Sequence, residues 1–478
     1  MDGFSPPAQS RQNSDEAAPD RPVNRPMVFA VVAISLLMIS IDSTIVATAL
    51  HALQDGLDTS VNWAGWTLTA YALGFVIMLP VAGRLSERFG CRRVFLASVL
   101  VFTLASLFCG MANNIYLLIA LRALQAVGGA GFSPSVTGLI VNLFGDARDR
   151  AVSLFGSILP IGAMIGPIFG GLFVTYGSWR GIFYVNVPVG IIVILLSLRF
   201  IPPDRVPPAP SDRRGWRGFD LAGALLLTLC LLAAMLAVSY LGERDTRPLV
   251  PLLWALLAVS VGCGWMFYRH INRAPSPLLL PRLIYGRGFG AVNLANIVYG
   301  GVTIGGVALL PLYAASRYGI GALEAGTLLI AQGIAMTLTS TLAALAIRRT
   351  GYRLPLYSGS VIIALGTFLL AFHPPAGLSA YAWLAIAAFV CGVGAGVINP
   401  AGRNAGLQLA PDHASTLAAL RSMFFHLGSI STISVATAVL NHSTSPGQAQ
   451  AWVYVVLALL LLAAIPIIHR ITEHRGAW

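Results

Sequence analysis

The sequence has no lysine: all 30 of its basic residues are arginine. Together with the richness in alanine and proline, this points to a GC-rich bacterial genome. Charge of either sign is scarce, at 10% of residues against 56% hydrophobic ones. A soluble core cannot hide that much apolar surface, so soluble classes are excluded and an all-α polytopic membrane protein is expected. Acidic residues are scarcer still, leaving a net charge of +12. That excess does not indicate a nucleic-acid partner, because the arginines fall between apolar spans, where they act as topology signals. Cysteine is limited to Cys91, Cys109, Cys230, Cys263 and Cys391, an odd set with no C-x-x-C pair, so neither a disulfide nor a metal site is expected. No nucleophile-and-base set, metal cluster or phosphate loop is legible. The expectation is therefore not an enzyme, and no cofactor.

What the chain does contain is a series of apolar spans. Residues 1–26 are polar, rich in Pro, Ser and Asp, and read as a disordered cytoplasmic tail. Met27 to Leu50 is too long for a signal peptide, carries Asp42 and begins a run of similar segments, so it is the first helix. Further helices are expected near 64–83, 94–112, 115–142, 151–176 and 182–201, completing a first half over 27–201. A Pro- and Arg-rich linker, 202–218, leads to two inserted spans near 219–241 and 249–271. The second half, 288–470, holds spans near 288–315, 325–347, 355–372, 381–407, 414–440 and 451–470, before a cytoplasmic tail over 471–478. The expectation is 14 transmembrane helices.

Arginine placement supports that count. With both termini cytoplasmic, only Arg180, Arg244, Arg247 and Arg317 fall in external segments, and Arg122, Arg403 and Arg421 fall in or at the edge of helices. All the others are on the cytoplasmic side, as the positive-inside rule requires. The halves also echo each other. Ala126 to Pro134 aligns with Gly392 to Pro400, and Gly83 to Arg93 has a degraded partner around Arg348 to Arg353. Parallel six-helix repeats of this kind enclose a site near the bilayer midplane.

Four stretches carry the chemistry. In the fifth span, Gly162, Gly166 and Gly170 recur every four residues and strip one helix face of side chains, so a neighbour can approach at backbone distance. Pro160 and Pro167 remove backbone donors from the same helix, which a membrane tolerates only where neighbours satisfy the freed carbonyls. Gly162-x-x-x-Gly166-Pro167-x-x-Gly170-Gly171 resembles the antiporter signature of drug exporters in the major facilitator superfamily. Gly83-Arg-Leu-Ser-Glu87-Arg88-Phe-Gly90-Cys91-Arg92-Arg93 resembles the loop motif of that superfamily, which locks the halves together on the cytoplasmic side. Here Glu87 replaces the usual Asp, and Cys91 stands where a basic residue is common.

Leu118-x-x-x-Arg122-x-x-Gln125 resembles the fourth-helix motif whose arginine is implicated in proton transfer. An arginine inside a span costs at least about 2.5 kcal/mol and needs a partner or a wet cavity. Its counterpart in the second repeat is Ala388. Asp42, in a stretch resembling the first-helix motif of the fourteen-helix exporter branch, is the one carboxylate placed well inside a span. A carboxyl there suits a group that takes a proton in one state and releases it in another. Ser178 to Pro188 resembles a stretch of the same branch and reads as architectural, with Trp179 at the membrane interface and Pro188 at a kink.

The resemblance, over roughly residues 27–470, implies a proton-coupled antiporter in a bacterial cytoplasmic membrane, exporting drugs or other lipophilic or cationic small molecules, with export of an endogenous metabolite or lipid as the alternative and a non-transporting receptor or scaffold on the same fold as the reading after that. Asp42 and Arg122 would couple protons, Gly83, Glu87, Arg88, Gly90, Arg92 and Arg93 would gate, and the fifth-helix glycines would form a sliding seam. Thr44, Gln125, Asn399, Phe425 and His426 are candidates for the substrate cavity. The partners expected are a small-molecule substrate, protons and the lipid bilayer, with no nucleic acid and a monomeric protein.

Overall fold

The computed structural model describes residues 24–59, 61–204, 219–241, 250–286, 288–407, 410–471 and 473. Most of the expected 1–26 and 471–478 tails and of the 202–218 linker lies outside the described residues. Among those that are described, 13 helices are long and apolar enough to cross a membrane, or 14 if one bent pair counts as a single span. The first half comprises α1 (Arg25–Thr48), α2 (Val61–Phe89), α3 (Cys91–Met111), α4 (Ile115–Leu143), α5 (Arg148–Tyr176) and α6 (Gly181–Phe200). The inserted pair is α7 (Leu221–Leu241) and α8 (Val250–Ile271). The second half comprises α9 (Phe289–Gly306 with Leu310–Tyr318, bent by 45°), α10 (Ala322–Thr350), α11 (Arg353–Ala371), α12 (Ala380–Asn404), α13 (Ala414–Asn441) and α14 (Pro446–Ile468). The bend in α9 follows a π-helical stretch, Gly301–Gly306, where glycines replace side chains that would hold a regular helix.

The repeat is visible in how two helices begin. Gly90 turns from α2 into α3 at φ +97°, and Asp204, beyond α6, accepts from the backbone N–H groups of Arg92 (2.9 Å) and Arg93 (3.1 Å). Gly351 turns from α10 into α11 at φ +69°, and Glu473, beyond α14, accepts from the N–H groups of Tyr352 (2.9 Å) and Arg353 (3.3 Å). In each half a carboxylate following the sixth helix satisfies orphan donors at the start of the third and complements its dipole.

The inserted helices pack on each other, with Ser260 Oγ donating to the Cys230 carbonyl at 3.1 Å, and α7 lies against α2 and α13 through Leu227, Leu231 and Met235. Asp220 anchors them, meeting His270 Nε2 at 2.7 Å and accepting from Leu278 N at 2.9 Å.

One end of the bundle holds Arg25, the α2–α3 turn, the start of α5, the α10–α11 turn and Glu473. It is rich in arginine, while Arg180 and Arg317 sit at the far end. The halves meet from this arginine-rich end to the middle. Gly83 abuts Ala419, Asn404 Nδ2 donates to Ser153 Oγ at 2.8 Å, Thr341 Oγ1 donates to Ser157 Oγ at 2.9 Å, and Phe75 packs on the His426 ring at 5.3 Å.

Candidate functional site

Five helices of the first half converge on Asp42. Arg122, on α4, places Nη1 at 2.8 Å from Asp42 Oδ2 and also donates to Gln125 Oε1 at 2.6 Å. Gln125 Nε2 and Asn186 Nδ2, the latter from α6, donate to Asp42 Oδ1 at 2.9 and 2.8 Å. Ser106 on α3 accepts from both amides, at 3.1 and 3.0 Å, and its hydroxyl donates to the Phe183 carbonyl at 2.9 Å. On α2, the Tyr71 ring lies 4.1 Å from the Arg122 guanidinium carbon.

Asp42, Arg122 and Gln125 are each fully buried. In a medium of low dielectric the charges are tolerable because they cancel and because the carboxylate is hydrogen-bonded on both oxygens. Arg122 Nε and Nη2 and the Tyr71 hydroxyl have no hydrogen-bond partner. The network therefore keeps unpaired donors beside the carboxylate, on a guanidinium packed against the Tyr71 and Phe183 rings.

The sequence reading placed Asp42 and Arg122 on separate helices as proton-coupling candidates, and the fold brings them into one ion pair. It put Gln125 in the substrate cavity, whereas Gln125 is an inner member of the Asp42 cluster. Asn186 belongs to the stretch expected to be architectural, and nothing in the sequence marks Ser106 or Tyr71. Asn186 carried a signal, being an amide in an apolar span, but only the packing of α6 against α1 shows its partner. Trp179, expected at the membrane interface, is 5% exposed and packs against Gly56 and edge-on to Phe183.

The gate residues divide into two groups. Glu87 bridges the halves, accepting from Thr416 N at 3.1 Å and facing His413 Nδ1 at 3.1 Å, both at the start of α13. A β-carbon on Gly83 would lie 2.7 Å from Ala419 Cβ and 3.0 Å from the Ser415 carbonyl, so the two helices touch there at backbone distance. Gly90, Arg92 and Arg93 instead make the contact to Asp204 within the first half, and Arg88 ends α2.

The fifth-helix glycines also lie within one half. Added β-carbons on Gly162, Gly166 and Gly170 would come within 3.1, 2.9 and 2.9 Å of the carbonyls of Leu37, Ile41 and Ile45 on α1. Gly171 has nothing within 4 Å. The glycine stripe is thus the α1–α5 crossing, and contact with the second half runs along the side of α5 that carries Gly156, Ser157 and Met164. Thr44 sits in the crossing, against Gly166. Asn399 reaches across to the Gly156 carbonyl at 3.3 Å. His426 is held by the Ser422 carbonyl at 2.8 Å and by Phe75 and Phe425.

The family model described as Major Facilitator Superfamily matches residues 32–222 and 294–477. A multidrug resistance protein B homolog of Mycobacterium tuberculosis is 32% identical over 372 residues, which cover 76% of this chain and 66% of that protein. The multidrug transporter protein MdtP of Bacillus subtilis is 28% identical, covering 72% of this chain and 62% of its own length, so the chain spans less than two thirds of either relative. The methylenomycin A resistance protein of Streptomyces coelicolor is 31% identical over 469 residues, 94% of this chain and 93% of that one. Among solved structures, the human organic anion transporter MFSD10 superposes with a TM-score of 0.68 at 15% identity, covering 93% of this chain and 99% of its own. The proton:xylose symporter XylE superposes at 0.64 and 13%, covering 94% of this chain and 96% of its own. The matched segments are the two six-helix halves described above, and the chain belongs to the Major Facilitator Superfamily.

Proposed function

We propose that this protein is a proton-coupled antiporter that exports drugs or other lipophilic small molecules across a bacterial cytoplasmic membrane by alternating access. The arginine-rich end faces the cytoplasm, following the positive-inside rule. The observation that carries the reading is the buried Asp42–Arg122 pair, 2.8 Å apart, inside a first half whose relatives include drug-resistance proteins. Protonating Asp42 cancels one charge of the pair, frees Arg122 to rearrange and so favours a second packing of the first half against the second. Returning the proton on the other side restores the pair. One proton crossing 100 mV supplies about 2.3 kcal/mol, a gradient of about fiftyfold for a neutral substrate. With one carboxylate in the cluster, fewer than three protons per substrate are expected. No cofactor and no nucleic-acid partner enters this scheme, and the monomer suffices.

The test is resistance in an efflux-deficient host to a panel of cationic, neutral and acidic lipophilic antibiotics. Resistance that a protonophore abolishes and that Asp42→Asn loses while still reaching the membrane supports the reading. If no compound in the panel is exported, drug export falls and endogenous metabolites or lipids become the substrates to assay.

A further inference from the structure

The segment that joins the inserted pair to the second half is tied down on both sides of Arg282. Before it in the chain, Leu278 N donates to Asp220, the carboxylate at the head of α7 that also meets His270 at the end of α8. After it, the Tyr285 hydroxyl donates at 2.6 Å to Oδ1 of Asn272, which follows α8. Leu278, Leu279 and Leu283 are buried in one cluster with Leu227 of α7 and Phe267 of α8. A short helix, Pro281–Tyr285, carries Arg282 from this cluster to the surface, where its Nη2 lies 3.2 Å from Nε2 of His413.

That contact fixes the state of the imidazole. A guanidinium has N–H donors and no acceptor, so Nε2 carries the lone pair and Arg282 donates to it. The other ring nitrogen, Nδ1, lies 3.1 Å from Glu87 Oε2, and a carboxylate only accepts, so Nδ1 carries the hydrogen. His413 is therefore a neutral ring in its Nδ1–H form. The opposite tautomer would turn a lone pair toward Glu87 and an N–H toward Arg282, and both bonds would be lost together. The charged groups beside the ring are Glu87 with Arg84, 3.3 Å from it on α2, Arg282 on the connector, and the adjacent Asp412. Glu87 belongs to the first half and His413 to the second, so the tautomer decides whether this bond between the halves is made.

We propose that Arg282 is a positioning residue of the gate at the arginine-rich end: it holds His413 in the tautomer that donates to Glu87, and through it the inserted helices α7 and α8 stabilise the closed contact between the halves. The link rests on the alternating-access reading above, in which the halves must part at this end. It gives the inserted pair a task at the gate besides packing on α2 and α13. Withdrawing Arg282 leaves the ring free to take its Nε2–H form, and the bond to Glu87 is then lost with Glu87 itself unchanged.

The experiment is nitrogen NMR of the full chain, with isotope-labelled histidine, in lipid nanodiscs at about pH 8, above the ordinary range of histidine. The resonances missing from His413→Asn identify His413. In the wild type they are expected to show a protonated Nδ1 and a bare Nε2. Arg282→Met keeps the apolar stem but donates nothing, and should shift the ring toward the Nε2–H form. Arg282→Lys, which still donates, should keep the wild-type pattern. Arg282 is exposed, so both variants should fold. In the same preparations, a cysteine introduced at Ser153 should be labelled about threefold or more faster in Arg282→Met than in the wild type, as loss of one net hydrogen bond predicts, and at the wild-type rate in Arg282→Lys. In a His413→Asn background, where the amide has no tautomer to invert, Arg282→Met should have no further effect on labelling. Any other ring state in the wild type overturns the proposal, as does an Arg282→Met ring that keeps the wild-type pattern. Faster labelling by Arg282→Met in both backgrounds would make Arg282 a structural support alone, and the link falls. Neither measurement uses a substrate, so failure of the antibiotic panel and failure of this link are separate results.

Discussion

Asn399 Nδ2 donates at 3.3 Å to the carbonyl of Gly156, the one carbonyl of α5 that Pro160 leaves without its helical donor. A proline in one half thus creates an acceptor that an amide of the other half fills. The bond exists only while the halves are apposed at the arginine-rich end, so the proline's defect helps to stabilise that conformation. An open conformation must expose the carbonyl to water or to another donor.

Asn399→Ala is expected to weaken the closed conformation by about 1 to 3 kcal/mol, the range for an unpaired buried polar group. Thiol labelling of a cysteine introduced at Ser153, which faces Asn404 across the same seam, should become faster in that variant. Labelling at the wild-type rate would show that the bond does not hold the seam.

Arg122→Ala strands the Asp42 carboxylate in a fully buried site and is expected to cost about 3 to 5 kcal/mol, read as a large drop in thermal midpoint in detergent. Asp42→Asn combined with Arg122→Gln keeps the hydrogen-bonding shapes without either charge and should recover most of that stability while remaining inactive in proton-coupled export. A double variant as unstable as Arg122→Ala would mean that packing of the arginine, against Tyr71 and Phe183, matters more than its charge.

Within the antiporter-like motif the glycines are not equivalent. At Gly166 a β-carbon would press on Thr44 Oγ1 and stand 2.9 Å from the Ile41 carbonyl, so Gly166→Ala should destabilise by about 1 to 3 kcal/mol through overpacking. Gly171→Ala meets nothing within 4 Å and should be close to neutral. Equal thermal midpoints for the two variants would contradict the α1–α5 crossing.

Glu87 holds the start of α13 through Thr416 N and His413, with a carboxylate about 10% exposed. Glu87→Ala should shift the equilibrium away from the closed arginine-rich end by about 1 kcal/mol or more, because a charge-assisted bond to the Thr416 backbone is lost along with the contact to His413. The same labelling assay reports it, and Glu87→Asp, one methylene shorter, should fall between the two.

Much of this architecture follows from local composition. Runs of apolar residues longer than a bilayer is thick must be helices, because no water is present to satisfy an exposed backbone, and arginines between the runs set their alternation. That reasoning places the spans within six residues of the helix ends. It also singled out Asp42 and Arg122, since a charge in a span is costly enough to stand out in a single sequence. What it did not supply is who meets whom. Gln125 and Asn186 are neutral amides, which a membrane helix tolerates facing many partners, and their roles depend on the rotation of α4 and α6 about their axes. The glycine stripe declares a close crossing but not the helix it crosses. Only the tertiary packing chose α1 for it, brought α5 to the second half along another side, and set Asn399 against the carbonyl freed by Pro160. Helix formation in lipid is decided segment by segment from the backbone's hydrogen bonds. Side-chain pairing across helices depends on azimuth and depth, which the whole bundle settles at once.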